Sequence, residues 1–327
     1  MSEQLTRMSN IGLIPVVKVT DLDDAVPMAK ALCDGGIDVA EITYRSEFAT
    51  QAIAMISKEV PEMLVGAGTV STVDMAKAAV EAGATFIITP GFNEPVVKWC
   101  VENNVEVYPG VSSPSDIERA IGYGLTTLKF FPAEASGGVK MLKAFSGPYA
   151  NIKFIPTGGI NASNMHDYLA LPNVEAVGGS FMLPSDLIAA KDFDGIKELS
   201  RLAIKKLLDF QLIHLGINTN SSEESEEVTK KLCELFNFTF YKKPHSNFAG
   251  VGFEVLHKHG YGENGHIGIY TPYPERAIYH LGKKGIKVIN STVTRNKKSH
   301  KVNFAFLDYE IAGFGIHLIN PDLKMEI

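Results

Sequence analysis

The chain has 327 residues, and 31 Lys and Arg against 37 Asp and Glu give a formal net charge of −6 at pH 7. Apolar residues make up 45% of the chain and charged residues 21%, which is ordinary for a globular protein large enough for two domains. No basic cluster lies on an aromatic face, no apolar run reaches the length of a membrane helix, and the polar start lacks a signal-peptide segment, so we expect no nucleic acid, no membrane and a cytoplasmic location. The three cysteines are far apart and odd in number, which predicts neither a disulfide framework nor a paired metal site.

Strand-like and helical patterns alternate through the first two hundred residues. Alanine and leucine recur at three- and four-residue spacing between the apolar runs, as expected for helices with one buried face. Eight such repeats predict an α/β fold, a closed (β/α)8 TIM barrel, and the alternative is an open doubly wound sheet. Gly66 and Gly68 suggest a dinucleotide fingerprint, but its third glycine is missing. The predicted strands are Ile14–Val19, Val39–Tyr44, Leu64–Gly68, Phe86–Thr89, Val105–Pro109, Leu125–Phe131, Phe154–Thr157 and Val174–Gly178.

Charged side chains occur at the carboxyl ends of the predicted strands, which is where the active sites of barrel enzymes lie. Strand alternation places Glu41, Thr43 and Arg45 on one face at the end of the second strand. Lys129 lies within the apolar sixth strand, where burial favours the neutral, nucleophilic amine that attacks carbonyl carbon. The alternative is a lysine at a strand end whose amine reaches solvent.

Two glycine pairs follow the seventh and eighth strands. Gly158-Gly159 and Gly178-Gly179 leave backbone N–H groups open to an anion, and Ser180 adds a hydroxyl. A short helix starting near Pro184 would point at the same place. One Gly-Gly turn is usually only a turn, but two at adjacent strand ends, in the usual phosphate position of this architecture, predict a phosphate site.

These motifs resemble those of the class I 2-keto-3-deoxy-6-phosphogluconate (KDPG) and 4-hydroxy-2-oxoglutarate (KHG) aldolases. The resemblance covers about Ile11 to about Leu208. It includes Asp24-Ala-Val-Pro-Met-Ala-Lys-Ala-Leu32, Glu41-Ile-Thr-Tyr-Arg45, Val65-Gly-Ala-Gly-Thr-Val70, Thr89-Pro-Gly91, Leu128-Lys-Phe-Phe-Pro-Ala-Glu134, Gly137-Gly-Val-Lys140, Pro156-Thr-Gly-Gly-Ile160 and Gly178-Gly-Ser180.

The resemblance implies an aldehyde-lyase of the Entner–Doudoroff type, a trimer that needs no cofactor. Lys129 would form the Schiff base and Glu41 would be the general acid and base. The expected substrate-binding residues are Arg45 and Thr69 at the carboxylate, with Pro90, Phe131 and Thr157; the expected phosphate-binding residues are Gly158, Gly159, Gly178, Gly179 and Ser180. The family often has tryptophan where this chain has Phe181, which keeps an aromatic wall.

Two other functions are compatible with the barrel pattern. A sugar-phosphate epimerase or isomerase would use the phosphate site but would leave Lys129 without a covalent role. A ligand-sensing protein built on an aldolase scaffold would not require the set of Glu41, Arg45 and Lys129, which is intact here.

The remaining residues form a second predicted domain, 212–327, after a barrel domain of 1–211. A helical pattern at Phe193–Phe210 closes the barrel region, and eight of the nine histidines follow it. The pattern predicts two βαβββ halves. Strands are expected at Leu212–Ile217, Gly252–His257, His266–Tyr270, Lys287–Ile289, Val302–Asp308 and Gly313–Ile319, with helices at Ser222–Phe236 and Pro274–Lys284.

This second region resembles the glyoxalase/bleomycin-resistance group, the vicinal oxygen chelate fold, which binds a divalent metal through one ligand on each of four strands. The matching positions are His214, Glu254, His266 and His317, where the family more often has a carboxylate at the last position. Imidazole and carboxylate suit Zn, Ni, Fe or Mn. His257 and His259 are alternative ligands, and the competing interpretation is a regulatory domain with ordinary hydrogen-bonded histidines.

Overall fold

The structure is a computed structural model that describes residues 2–297 and 299–320. Contacts divide the chain into two compact units, Met1–Leu207 and Leu208–Ile327. The outer limits expected for the two domains, residue 1 and residues 321–327, lie outside the described residues. Within the described part of the chain, no helix is both long and apolar enough to cross a bilayer.

The first unit alternates short strands with helices. Its strands are β1 (Leu13–Val17), β2 (Val39–Thr43), β3 (Leu64–Gly68), β4 (Phe86–Ile88), β5 (Glu106–Tyr108), β6 (Gly110–Val111), β7 (Thr127–Phe130), β8 (Lys153–Pro156) and β9 (Val177–Gly179). Its helices are α1 (Glu3–Ile11), α2 (Ala25–Asp34), α3 (Ala49–Glu59), α4 (Val73–Glu81), α5 (Glu94–Glu102), α6 (Pro114–Gly122), α7 (Gly138–Phe145), α8 (Met165–Leu169), α9 (Ser185–Ala189) and α10 (Phe193–Leu208).

All strand pairings in this unit are parallel and follow a TIM-barrel-like order. One sheet has the order β5-β4-β3-β2-β1-β9 and the other has the order β6-β7-β8, while a bridge between Thr157 and Gly178 connects β8 to β9. The fifth predicted strand, Val105–Pro109, corresponds to β5, which pairs with β4 in the first sheet, whereas β6 follows Pro109 and pairs with β7 in the other sheet. The alternating pattern therefore predicts the parallel, TIM-barrel-like fold of this unit, in which the strands form two sheets joined by that bridge.

The strands of the first unit are buried on both faces because helices cover them. All five residues of β2 and all four of β7 are buried, including two charged side chains, Glu41 and Lys129. The helices begin at polar residues such as Thr72 and Ser113, whose side chains accept hydrogen bonds from first-turn N–H groups. These caps fix where the connections after the strands end, and the functional side chains lie on those connections.

The second unit contains one eight-stranded mixed sheet with two helices. Its elements are β10 (Gln211–Ile217), α11 (Ser222–Phe236), β11 (Phe240–Lys242), β12 (Ser246–Ala249), β13 (Phe253–Leu256), β14 (Gly265–Tyr270), α12 (Pro274–Gly282), β15 (Thr294–Arg295), β16 (Val302–Ile311) and β17 (Phe314–Ile319). The sheet order is β11-β12-β13-β10-β14-β17-β16-β15. A strand, a helix and three strands thus occur twice in succession.

One predicted strand of this unit is wrong. Lys287–Ile289 makes only a single bridge, Val288 with Leu307, and a 3-10 turn at Asn290–Thr292 follows it directly. The segment has too few residues before the turn to extend a ladder. The strands β11, β12 and β15, which the sequence did not reveal, are two to four residues long.

A chain ending at Phe210 should fold without the second unit, because the first unit has its own continuous apolar core. We expect one cooperative unfolding transition in chemical denaturant and retained aldol cleavage. Circular dichroism and an activity assay on the truncated chain measure both. Loss of cooperativity would show that the two units are folded as one.

Candidate active site and candidate metal centre

Lys129 on β7 and Glu41 on β2 form a buried ion pair. Lys129 Nζ lies 3.0 Å from Glu41 Oε1 and 3.3 Å from Oε2, and only 5% and 1% of the two residues' surfaces are exposed. The amine also lies 5.2 Å from the centre of the Phe131 ring. Removing one partner of such a pair leaves an uncompensated buried charge, which costs about 3–5 kcal/mol. The two sheets therefore hold an amine and a carboxylate close enough to exchange a proton in a partly apolar setting.

Glycine at position 68 makes room for this pair. A Cβ atom at Gly68 would lie 2.1 Å from Glu41 Oε1 and 2.4 Å from Glu41 Cγ, too close for any real side chain. Thr69, which follows, has a positive φ of 57°, an uncommon conformation for a β-branched residue. The end of β3 is thus shaped around the Glu41 carboxylate. From sequence, Gly68 belongs only to an incomplete dinucleotide fingerprint and to one family motif, and neither indicates its contact with Glu41.

Arg45 and Ser180 line one cavity of about 550 Å³ at the carboxyl ends of β1, β2 and β9. Arg45 is exposed, and its Nε donates to Thr43 Oγ1 at 3.3 Å, while the Thr43 hydroxyl donates to the carbonyl of Val17 at 2.8 Å. Lys18 lines the same cavity. Lys191, Asp21 and Asp24 also line it, and Lys191 is ion-paired with both aspartates. Lys18 and Arg45 are therefore the cationic groups that an anion in this cavity would meet.

The turn after β8 is held by backbone and side-chain contacts. Gly158 and Gly159 have φ angles of 102° and 82°, which favour glycine. The N–H of Glu134 donates to the Gly158 carbonyl at 3.1 Å, and the Tyr168 hydroxyl donates to the Glu134 carboxylate. A Cβ at Gly159 would lie 2.5 Å from Glu134 Cγ. Glu134 thus positions this turn, a role that the sequence did not indicate.

The other predicted residues lie along the same carboxyl edge. Thr157 is buried, and its Oγ1 would lie 2.3 Å from a Cβ at Gly178, which explains the glycine there. Pro90 follows β4, and its carbonyl oxygen would lie 2.3 Å from a Cβ at Gly110. The structure brings Lys129 into contact with Glu41, and Arg45 into one cavity with Ser180. Thr69 follows β3, and Gly179 ends β9.

In the second unit, four predicted side chains converge. His214 Nε2 lies 3.1 Å from His266 Nε2 and 3.0 Å from His317 Nε2, and Glu254 Oε2 lies 3.2 Å from His266 Nε2 and 3.4 Å from His214 Nε2. The three imidazoles offer ligand atoms that all lie within 4.8 Å of one another. His259 is elsewhere, against Asn218, and is not part of this cluster.

Glycines between the ligand strands make room for the imidazoles. Gly216 pairs with both Glu254 and His266 across the sheet, and Gly268 pairs with both His214 and His317. A Cβ at Gly216 would lie 2.1 Å from the His266 ring, and one at Gly268 would lie 2.6 Å from the His214 ring. Each candidate ligand therefore pairs with a glycine on a neighbouring strand.

Burial sets the charge of this cluster. It lowers the pKa of His214 to about 4 and, with the neighbouring histidines, the pKa of His317 to about 2. Burial raises the pKa of Glu254, but hydrogen bonds from His266 and Ser246 outweigh that effect and the pKa falls below its usual range. Neutral imidazoles beside an ionised carboxylate are the protonation states that bind a metal.

Comparison with known proteins identifies the first unit. Residues 5–199 match the family described as KDPG and KHG aldolase. The KHG/KDPG aldolase of Escherichia coli K12 is 48% identical over 193 residues, which is 59% of this chain and 91% of that protein. The 2-dehydro-3-deoxy-phosphogluconate aldolase of Treponema pallidum is 45% identical over 198 residues, 61% of this chain and 94% of that protein.

Solved structures agree. The KDPG aldolase of Legionella pneumophila, crystallised with pyruvate captured as a covalent carbinolamine intermediate, superposes with a TM-score of 0.60 at 40% identity, over 62% of this chain and 98% of that chain. The enzyme of Zymomonas mobilis with 3-phosphoglycerate gives a TM-score of 0.58 at 36% identity, over 61% of this chain and 94% of that chain. The chain is a lyase that belongs to the KDPG and KHG aldolase family, as its motifs predicted.

Replacing Gly68 by Ala should impair catalysis more than folding. The new methyl group displaces the Glu41 carboxylate from Lys129, and overpacking of this kind costs about 1–3 kcal/mol. We expect aldol cleavage to fall by about tenfold or more, measured with the unfolding free energy. Gly91→Ala is the matched control, because its Cβ would meet nothing within 4 Å. Equal activity of the two variants would show that Gly68 is not needed to position Glu41.

Proposed function

We propose that the first unit cleaves KDPG to pyruvate and glyceraldehyde 3-phosphate, and KHG to pyruvate and glyoxylate, through a Schiff base on Lys129. The observation that carries the proposal is the buried contact between Lys129 Nζ and Glu41 Oε1 at 3.0 Å in a chain of this aldolase family. A nucleophilic amine with a carboxylate at hydrogen-bond distance is the minimum required for class I aldol cleavage.

The reaction begins when Lys129 passes its ammonium proton to Glu41, 3.0 Å away, and the neutral amine attacks the C2 carbonyl. Glu41 returns that proton to the departing hydroxyl of the carbinolamine and is again a carboxylate. Loss of water from the carbinolamine gives an iminium, which withdraws electrons from the adjacent C3–C4 bond. Glu41 takes the proton of the C4 hydroxyl, through a water, and the C3–C4 bond breaks to give an aldehyde and an enamine. Protonation of the enamine carbon and hydrolysis of the iminium then release pyruvate and restore the amine. The covalent iminium supplies the electron sink, so the proposed reaction uses no cofactor.

The remaining residues of the site bind the two ends of the substrate. Arg45 and Thr69 hold the carboxylate, and Pro90, Phe131 and Thr157 shape the pocket around the reacting carbons. The phosphate lies against the backbone N–H groups of the two turns, at Gly158, Gly159, Gly178 and Gly179, with the Ser180 hydroxyl. Support comes from the shared cavity of Arg45 and Ser180 and from the positive φ angles of the first turn. The family resemblance further implies a homotrimer.

Pyruvate with borohydride should leave a reduced adduct on Lys129, because that amine is held beside Glu41 at the mouth of the sheet. Lys129→Ala should remove both adduct and cleavage, whereas Glu41→Gln should still form the adduct and cleave on the order of a hundredfold more slowly. Mass mapping locates the adduct, and circular dichroism confirms that the variants fold. An adduct on another lysine would contradict the proposed mechanism.

Replacing Ser180 by Asp should discriminate between the two substrates. The added negative charge repels a phosphate, so KM should rise steeply for KDPG and much less for unphosphorylated KHG. Ser180→Ala is the neutral control: it removes one hydroxyl without adding charge and should raise KM for KDPG much less than Ser180→Asp does. Equal effects of Ser180→Asp on both substrates would place the phosphate elsewhere.

We also propose that the second unit is a glyoxalase-like domain with a divalent metal centre at His214, Glu254, His266 and His317. Each repeated half supplies two ligands, from its first strand and from its last: β10 and β13, then β14 and β17. This arrangement supports the vicinal oxygen chelate resemblance, since one ligand comes from each of four strands.

The spacing of the donor atoms fits a metal. Neighbouring ligands of an ion bonded at about 2.1 Å lie about 3.0 Å apart in octahedral geometry and about 3.4 Å apart in tetrahedral geometry. The observed separations between neighbouring donors are 3.0, 3.1, 3.2 and 3.4 Å. An imidazole nitrogen carries either one proton or one lone pair, so His214 Nε2 cannot make two good hydrogen bonds to two other ring nitrogens. A cation between them satisfies all three lone pairs.

The purified full chain should bind about one divalent ion at this centre, and unfolding of the second unit should shift to higher temperature as metal is added. His214→Ala together with His266→Ala should abolish both effects, and Gly216→Ala should weaken them because its methyl group displaces the His266 ring. Elemental analysis and calorimetry measure them. His259→Ala is the control outside the cluster. If added metal does not change the melting temperature of the wild-type chain, the histidines of the cluster are ordinary strand residues.

A further inference from the structure

The short helix α9 of the first unit ends in a backbone conformation that does not suit the residue found there. Lys191, two residues after the helix, has a φ angle of 53°. Its N–H donates to the Ile188 carbonyl at 3.0 Å, and the N–H of Asp192 donates to the Leu187 carbonyl at 2.9 Å. These are the two hydrogen bonds of a Schellman motif, whose left-handed residue is usually glycine because a β-carbon is crowded in that conformation. Lysine is therefore an unfavourable residue at this helix end.

Other helices of the same unit end with the residues that this motif prefers. After α2, α4, α5 and α6, the N–H of the left-handed residue donates to the carbonyl three residues before it, and the next N–H donates five residues back, as in α9. Their left-handed residues are glycine or asparagine, namely Gly36, Gly83, Asn104 and Gly124. The local backbone thus does not explain a lysine at position 191. A strained residue of this kind points to a role for its side chain.

The Lys191 side chain forms a bridge to two carboxylates. Its Nζ lies 2.9 Å from Asp21 Oδ2 and 3.0 Å from Asp24 Oδ1, both on the connection that follows β1. The other oxygen of Asp21 accepts a hydrogen bond from the Asp23 N–H at 3.1 Å, which fixes that carboxylate at the start of a 3-10 turn. Asp24 is only 4% exposed, so its charge needs a partner. Lys191 therefore ties the chain after β9 to the chain after β1.

These two connections form facing parts of one cavity, the one that Arg45 lines. The chain after β1 contributes Lys18, Asp21 and Asp24, and the chain after β9 contributes Ser180, Ile188 and Lys191. Ser180 begins the connection after β9, where its carbonyl accepts a hydrogen bond from the Leu183 N–H at 2.9 Å, and Lys191 lies at the far end of the same connection. The bridge thus anchors the segment whose first residue is the proposed phosphate ligand.

The charges of the bridge argue against direct binding of a phosphate by Lys191. One ammonium group between two carboxylates has a net charge of −1, so a phosphate that approached Lys191 would also meet Asp21 and Asp24. Lys18 and Arg45 are the cations of this cavity that are left to attract an anion. The effect of Lys191 on a substrate would therefore act through the position of the segment that it anchors.

We propose that Lys191 is a positioning residue that gives the site its preference for a phosphorylated 2-oxo acid. Its bridge to Asp21 and Asp24 fixes where Ser180 lies relative to Lys129, at the distance that suits a phosphate on the far end of the substrate. Without the bridge, the segment must be ordered when the phosphate binds, and this ordering lowers affinity. KHG is shorter and has no phosphate, so it does not depend on this wall. The inference rests on the aldolase reaction and the phosphate position proposed above.

Lys191→Gly is the direct test, because it removes the bridge and places the preferred residue at the left-handed position. KM for KDPG should rise by about tenfold while kcat changes little, and both constants for KHG should change much less. Inorganic phosphate, used as a competitive inhibitor of KHG cleavage, should bind more weakly by a similar factor. Lys191→Arg keeps the charge and the reach of the side chain and should restore most of the affinity for KDPG.

Two further variants test the bridge from its other side and outside the cavity. Asp21→Asn keeps the cap of the 3-10 turn but removes one charge of the bridge, so it should shift KM for KDPG in the same direction as Lys191→Gly, and the two effects should not add. Lys197→Ala is the matched control, because it removes an exposed ion pair with Asp34, at 3.4 Å, that is not among the described cavity walls. It should leave all the constants unchanged. Circular dichroism checks that each variant is folded.

The outcomes separate this inference from the proposed function. A wild-type chain that cleaves neither KDPG nor KHG overturns the proposed function and the inference with it. A wild-type chain that cleaves both, with Lys191→Gly and Asp21→Asn leaving the ratio of the two KM values unchanged, overturns only the positioning role. An equal fall of kcat for both substrates, or the same change in Lys197→Ala, would also overturn it, because either result is a general effect of losing an ion pair.

Discussion

The burial of Lys129 against Glu41 is the constraint around which the first unit is organised. Two opposite charges with almost no exposed surface persist only where each is the other's partner. The pairing requires β7 of the three-stranded sheet and β2 of the six-stranded sheet to face each other. That requirement determines several neighbours: glycine at the end of β3, an aromatic ring beside the amine, and helices that cover both strands. In the mechanism proposed above, the same closeness lets Glu41 take the proton of Lys129, which frees the amine to attack a carbonyl.

Much of this unit can be predicted from sequence because the information is local. Apolar runs and helical spacing give the alternating order, and the ordered motifs around Glu41 and Lys129 give the family. The interruption at Pro109 and the contact of Glu134 with Gly159 are not predictable in this way, because each depends on which strand or loop lies alongside. Lys287–Ile289 shows the opposite error, since apolar alternation over three residues predicts a strand whether or not a ladder continues.

In the second unit, the candidate site is formed by the pairing of two halves. Strands β10 and β14 are adjacent in the sheet although a helix and three strands separate them along the chain. Sequence motifs indicate which histidines and which carboxylate are candidates, but only the register places Gly216 between Glu254 and His266 and Gly268 between His214 and His317. The glycines are as necessary as the ligands, because any side chain there would occupy the space of an imidazole.

The contact between Gly68 and Glu41 has a consequence for how this sequence can change over evolutionary time. Any larger residue at position 68 requires a shorter or differently placed side chain at position 41. Glycine at position 68 places no such limit on position 41. The order of substitutions is therefore constrained, because position 68 can accept a side chain only after position 41 has changed.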